Sequence, residues 1–251
     1  MIQKTLISVG LFALFAPVAN ASTVTIAGTV SVINGHHDIT EHRSGGLNAL
    51  GYITNVFSHQ PRGWTAAIGA GDVIVVEQQG VDGSNTAQVQ DFLTGGGRVI
   101  MLGDNSSLTT NFYNGIFGTS ISFGAPTDPT TWSQTSAVVD TTFADDAAIL
   151  DFASSVFPTS STLAAGSTVF YEGDTGAQVF RSTYGAGDVF YIGWDYCCGG
   201  TRETYADYYQ VLESAIAFDR VAAVPLPASL PLLLAGLGSL GLVRRLKCRK
   251  A

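Results

Sequence analysis

Apolar positions in the first half of the chain follow two patterns that alternate along the sequence. Short runs rich in β-branched and apolar residues predict strands at 24–33, 64–68, 72–77 and 98–102. Apolar residues recur at helical spacing in three segments between and after these runs, which predicts helices at 47–57, 86–94 and 108–116. Continuous apolar strands that are separated by helices are typical of a parallel sheet covered by helices on both faces.

The second half of the chain has a different pattern. Its apolar runs are short and predict strands at 120–123, 137–139, 168–171, 178–183 and 187–193. The last two are separated by Tyr184, Gly185 and Ala186, a hairpin-type connection. A closing helix is predicted at 205–218, with apolar residues on one face. We therefore expect an α/β fold whose parallel sheet is extended by antiparallel strands from the second half.

Both ends of the chain differ from this body. At the start, Lys4 precedes an apolar run at 6–18, and Ala19, Asn20 and Ala21 form an A-x-A cleavage site. This pattern predicts a signal peptide at 1–21, removed by signal peptidase, and an exported domain at 22–223.

The tail has three parts. Val224, Pro225, Leu226 and Pro227 come first, and an uncharged apolar run at 230–243 follows. Five cations close the tail: Arg244, Arg245, Lys247, Arg249 and Lys250. An apolar run that ends in cations is a stop-transfer signal, with the cations on the cytoplasmic side. Residues 226–243 are long enough for a membrane helix at the short end of the usual range.

The order of these parts over 224–250 resembles the PEP-CTERM sorting signal of Gram-negative bacteria. That family joins a short proline-containing motif to an apolar helix and an arginine-rich end, and here Leu226 stands where glutamate is more usual. The resemblance implies that an exosortase-type enzyme processes the tail near 225–227. It also implies export through the inner membrane, transient anchoring by the tail, and delivery to the cell surface or extracellular matrix.

A second resemblance covers the body. The stretches GDVIVVEQQG, VQDFLTGGGRVIMLGDNSS and GDVFYIGWDY are similar to class I glutamine amidotransferase-like domains. The resemblance implies a flavodoxin-like α/β fold. An active amidotransferase needs a cysteine on the turn after a central strand, with histidine and glutamate late in the chain. Here that turn, 103–106, has no cysteine, and all four histidines precede residue 60. We therefore assign no catalytic residue.

Charge narrows the partners of the body. When Lys4 and the five tail cations are left out, the exported body has six arginines and all 20 acidic residues. Its net charge is therefore −14. Such a surface should repel nucleic acid and anionic lipid. We therefore expect no nucleic-acid partner.

One polar stretch carries the side chains that bind metals. His36, His37, Asp38, Glu41 and His42 follow the first predicted strand, and these residue types ligate zinc and other divalent ions. Their spacing matches neither HExxH nor HxxEH, so a polar surface loop without a cofactor stays open as the alternative. In a parallel sheet this segment would lie at the carboxyl edge, beside ligand-binding candidates Glu77 and Asp104 at the ends of neighbouring strands.

The late aromatic region leaves further alternatives open. Adjacent Cys197 and Cys198 form either a vicinal disulfide or two free thiols. Aromatic residues cluster around them, for core packing or for a carbohydrate-facing surface: Tyr191, Trp194, Tyr196, Tyr205, Tyr208 and Tyr209.

Two function classes stay open for the body. The first is a non-catalytic surface or matrix protein that binds a glycan such as an exopolysaccharide, an ion or a partner. The second is a secreted hydrolase that uses the His/acid loop, with or without a divalent metal.

Overall fold

The computed structural model describes residues 29–34, 46–58, 61–77, 83–103, 106–124, 131–151, 156–174, 176–194 and 202–219. The predicted signal peptide and the tail lie outside these ranges. Within them, no helix combines the length and apolar character needed to cross a membrane.

The described residues form one mixed sheet of nine strands. The strands are β1 Thr29–Asn34, β2 Ile53–Ser58, β3 Val73–Val76, β4 Arg98–Leu102, β5 Trp132–Gln134, β6 Ile149–Leu150, β7 Thr168–Gly173, β8 Gly176–Tyr184 and β9 Gly187–Ile192. The helices are α1 Gly46–Ala49, α2 Pro61–Ala70, α3 Thr86–Thr94, α4 Ser106–Phe117 and α5 Arg202–Ala217.

The sheet has a parallel half and an antiparallel half. Its strand order is β2-β1-β3-β4-β9-β8-β7-β5-β6, and the first five strands are parallel. Strands β8, β7, β5 and β6 continue the sheet with antiparallel pairing. The parallel half has the 2-1-3-4-5 order of flavodoxin-like folds. The predicted α/β fold, with antiparallel strands added by the second half, is confirmed.

Helices cover both faces of the parallel half. Alternate residues of the fully buried strand β3 point to opposite sides: Val73 and Val75 to one core cluster, Ile74 and Val76 to the other. The first cluster contains residues of α1 and α5, and the second contains residues of α2, α3 and α4. Burial on both faces explains why β3 and β4 are continuous apolar runs in the sequence.

Two predictions in the first half were wrong. Residues 47–57, predicted as a helix, form only the short α1 and then β2. The helix cannot continue because Gly51 has a positive φ of 86°, and the residues after it pair with β1 in unbroken parallel register. Residues 64–68, predicted as a strand, lie in α2. Pro61 opens that helix, a position at which its missing N–H costs nothing.

The second half also differs in part from the predictions. Residues 120–123 form no strand, and only Gly124 makes an isolated bridge, to Phe157. Residues 137–139 fall mostly in a 3-10 turn, which begins where Thr135 Oγ1 accepts a hydrogen bond from the Ala137 N–H. The sequence did not reveal β5 and β6, which are too short for a periodic pattern. Strands β7, β8 and β9, the hairpin and α5 are confirmed.

The end of α5 is fixed at the amino edge of the parallel strands. Arg98, the first residue of β4, places its Nη1 within hydrogen-bond distance of three carbonyl oxygens at the end of the helix: those of Ala215, Ile216 and Phe218. A cation at a helix C-terminus satisfies carbonyls that lack partners within the helix. The last described residues of the chain therefore lie at the amino edge of the sheet.

Candidate functional site

The carboxyl ends of the five parallel strands lie at one edge of the sheet, called here the carboxyl edge. Beyond β3, the N–H of Glu77 donates to Ile33 O of β1 at 3.2 Å, and beyond β4 the N–H of Gly103 donates to Ile192 O of β9 at 3.1 Å. In this strand order the winding reverses between β1 and β3, and such switch points at the carboxyl edge are where α/β folds bind ligands. Glu77 borders that point.

Glu77 is the buried acid of this edge. Its exposed fraction is 4%, and it follows a strand whose four residues are all buried. A carboxylate at a strand end beside the switch point is a candidate for binding because of its position, and of the residues predicted for the site Glu77 is the one that the structure describes.

The other predicted site residues lie outside the described residues. These are His36, His37, Asp38, Glu41, His42, Asp104, Cys197 and Cys198. Their flanking residues are described: Asn34 ends β1, Gly103 follows β4 and Trp194 follows β9, all at the carboxyl edge. Within the described ranges, no group of three or more His, Cys, Asp or Glu could hold a metal ion. The metal site and the vicinal disulfide stay predictions.

The end of β4 is packed closely against β9. A Cβ atom at Gly103 would overlap the ring of Tyr191, whose hydroxyl donates to Val156 O and lies 3.4 Å from Gly103 O. Only glycine fits this close approach. The sequence pattern indicated a glycine turn here but gave no sign of the tyrosine beneath it, because the two residues are distant in sequence.

Aromatic residues fill the space behind the end of β9. Trp194 stacks on Tyr208 of α5 with ring centroids 4.9 Å apart and meets Tyr209 edge to face at 5.3 Å. Gln178 Nε2 donates to the Tyr208 hydroxyl at 3.0 Å. All four side chains are buried, as is Tyr191. Where described, the predicted aromatic cluster therefore packs in the core and offers no carbohydrate-facing surface.

Two more acids lie in this region. Partial burial raises the pKa of Asp207 on α5, and the negative charge of Asp151 raises it further. Burial also raises the pKa of Tyr208, whose hydroxyl donates to Asp151 O at 3.3 Å. Asp151 and Asp207 therefore lie near the end of β9. An edge with this charge favours a cation or a hydroxyl-rich ligand over an anion.

A separate groove lies in the antiparallel half. It encloses about 740 Å³ and is lined by Thr131, Ser133, Gln134, Thr135, Glu172, Gly173 and Asp174. Glu172 accepts a hydrogen bond from Ser160. The groove is polar and open, and its two acids make it a competing location for a bound cation.

The tail matches a known sorting motif. The pattern of the PEP-CTERM protein-sorting motif covers residues 223–250, which confirms the resemblance seen in the sequence. The motif implies exosortase-dependent sorting and indicates export to the cell envelope or surface. A search of curated proteins finds no sequence that matches this chain.

Solved structures share the fold of the body. A cytoplasmic protein from Salmonella typhimurium has a TM-score of 0.52 at 10% identity, covering 77% of this chain and 99% of that protein. A ThuA-like protein from Bacteroides uniformis has a TM-score of 0.51 at 9% identity, covering 79% and 94%. A GMP synthase subunit protein from Thermoplasma acidophilum has a TM-score of 0.49 at 12% identity, covering 75% and 94%. The two structures with TM-scores above 0.5 confirm the fold of the body, and a likeness of fold does not define an activity.

Proposed function

We propose that this chain is an exported cell-envelope protein whose body binds a divalent cation at the carboxyl edge and performs no catalysis. The observation that carries this proposal is the burial of Glu77 beside the switch point between β1 and β3. Carboxylate oxygens are preferred ligands of calcium and related ions. The predicted partners of Glu77 are His36, His37, Asp38, Glu41, His42 and Asp104.

The ends of the chain supply the route to the envelope. Signal peptidase removes residues 1–21, and the exported domain is 22–223. The apolar segment 226–243 holds the chain in the inner membrane for a time, with Arg244 and Arg245 on the cytoplasmic side. Exosortase then processes the tail near 225–227 and the body passes to the cell surface or extracellular matrix.

The fold directs the proposed site away from the membrane during this transient stage. Arg98 holds the end of α5 at the amino edge of the sheet, and the sorting motif begins at residue 223, shortly after Asp219. Glu77 lies at the opposite ends of the same strands. We therefore expect a tail-anchored body to turn its carboxyl edge away from the inner membrane.

Calorimetric titration of the chain with calcium, manganese and zinc tests the binding. Glu77→Gln keeps the shape of the side chain and removes its charge, and we expect it to weaken binding about tenfold or more, on the order of one charged ligand. Asp72→Asn is the matched control, because the exposed Asp72 precedes the same strand at the amino edge. Equal loss in both variants, or no heat from any ion, contradicts the proposal.

The hydrolase alternative predicts a different result. A hydrolytic turnover that is lost on changing His36 or His42 would replace a binding function with catalysis at the same loop. Turnover lost on changing Cys197 or Cys198 would instead show a cysteine nucleophile. Substrate panels of glycosidic, ester and amide bonds separate these outcomes from cation binding alone.

A further inference from the structure

The two edges of the sheet are built differently. At one edge, β6 has two residues, and so short a strand offers little template for another chain. At the other edge, β2 has six residues in unbroken register with β1. Natural edge strands are usually protected by lysine, proline or a bulge, and Ile53–Ser58 contains none of these.

Apolar side chains are exposed along the β2 edge. Ile53 is 63% exposed and Val56 is 48% exposed. Four large hydrophobic side chains are exposed among the described residues, and two of them are therefore in β2. A strand that exposes both its backbone edge and apolar side chains is suited to pairing with another strand.

The sequence segment that contains β2 carries no acidic side chain. Between residues 46 and 70, which include α1, β2 and α2, the sequence has no acidic residue and Arg62 is its one arginine. The exported body as a whole carries a net charge of −14, which opposes contact between two copies. The described elements α1, β2 and α2 therefore add no acidic side chain to a contact between two copies at the β2 edge.

We infer that a second copy of this chain pairs with β2 in antiparallel orientation about a twofold axis at Asn55. This register places Ile53 opposite the partner's Phe57, and Thr54 opposite the partner's Val56. Both are pairs of apolar or β-branched side chains, which stabilise antiparallel strands. Asn55 is exposed and meets its own copy, so the two amides can hydrogen-bond to each other.

The register favours a second copy over an unrelated strand. Shifting the axis to Val56 would place the amide of Asn55 opposite Phe57, which pairs a polar with an apolar side chain. Centring on Asn55 instead pairs Ile53 with Phe57 and the β-branched Thr54 with the β-branched Val56, and it places Asn55 opposite its own copy. A twofold pairing also closes on itself, because each copy covers the free edge of the other. This inference concerns a different surface from the cation site and does not depend on it.

A charge-swap experiment at the axis tests the dimer. Asn55→Asp and Asn55→Lys each place two like charges directly opposite each other, and each variant alone should dimerise about tenfold or more weakly than the wild type. Mixing the two variants places opposite charges across the axis and should restore the dimer. Sedimentation of the full-length chain in detergent measures association, and any contribution of the apolar tail is the same in every sample.

The same two substitutions at Asn111 are the controls, because this asparagine is exposed on α4, away from β2. Asn111→Asp and Asn111→Lys should leave association unchanged, and circular dichroism shows whether each variant is folded. Three results would overturn the proposal. They are a monomeric wild-type chain, a dimer that is indifferent to residue 55, and a mixture of the two Asn55 variants that fails to dimerise.

Discussion

Arg98 and Asp188 lie opposite each other on the parallel strands β4 and β9 and form a two-pronged ion pair, with Nε–Oδ1 at 2.7 Å and Nη2–Oδ2 at 2.8 Å. Both side chains are buried. Arg181 also donates to Asp188, at 2.9 Å. Because Arg98 binds the end of α5 as well, one side chain joins the centre of the sheet to the last helix of the body.

Replacing Arg98 should destabilise the body strongly. Arg98→Met removes the fork and leaves the buried Asp188 with Arg181 alone, and breaking a buried pair in this way costs about 3–5 kcal/mol. Arg98→Lys retains the charge but cannot reproduce the planar fork, so we expect an intermediate loss. Urea unfolding measures both changes in free energy, and a loss of under about 0.5 kcal/mol for Arg98→Met would show that the pair does not hold α5.

Asp146 should make stability depend on pH near 6. Burial raises the pKa of its carboxyl group to about 6, and the charges of Glu213 and Asp145 act in the same direction, against the hydrogen bond from Ser214. The ordinary value is 3.8, so the folded protein takes up the proton before the unfolded chain does. Stability from this group is therefore gained as the pH falls from about 6 to about 4, and is absent above that range.

The Asp146→Asn variant isolates this effect. Asp146 Oδ2 is buried without a hydrogen-bond partner among the described residues, and removing its charge should stabilise the fold by about 1–3 kcal/mol at pH 8. The advantage should shrink towards pH 4, where the wild-type carboxyl group is protonated. Unfolding curves of both proteins across this range give the difference, and a constant difference would contradict the buried, high-pKa carboxyl group.

Val75→Asp tests the central position of β3. Val75 is fully buried and lies between β1 and β4, so an unpaired charge there should cost several kcal/mol, of order 3–5. Val139→Asp is the control, because that valine is 64% exposed and should change stability by less than about 0.5 kcal/mol. Similar losses in the two variants would argue against a buried central strand.

Changing Arg244 and Arg245 to alanine should impair processing and retention of the tail. The cations hold the cytoplasmic end of the predicted membrane segment, so a shortened cluster should leave more unprocessed chain. Cell fractionation and the size of the exported chain measure this, with Arg62→Ala as a control in the body. Arrival of the intact, uncut chain at the surface would contradict exosortase-dependent sorting.

Elements whose pattern lies within a single segment could be predicted from the sequence. β4 and α3 have the predicted bounds, because burial on two faces and a glycine stop leave a pattern within the segment itself. The segment 47–57 was misassigned because a short apolar run is compatible with both periods. Gly51 and the pairing with β1 decide that this segment forms a short helix followed by a strand.

One residue of the candidate site could be predicted from the sequence for the same reason. Glu77 could be placed at the carboxyl edge because it directly follows a recognisable buried strand. The contact of Arg98 with Asp188 spans 90 residues, and the hydrogen bond of Ser214 to Asp146 spans 68. Neither has a signature in one sequence, since only the folded sheet brings the partners together.

The location of a bound cation tests the central claim most directly. Crystals of the chain soaked in manganese would show the ion by its anomalous scattering. We expect the peak at the carboxyl edge, within about 2.0–2.6 Å of a carboxylate oxygen of Glu77, and no peak in crystals of Glu77→Gln. No peak at that edge, or a peak only in the groove beside Glu172 and Asp174, would contradict the proposed site.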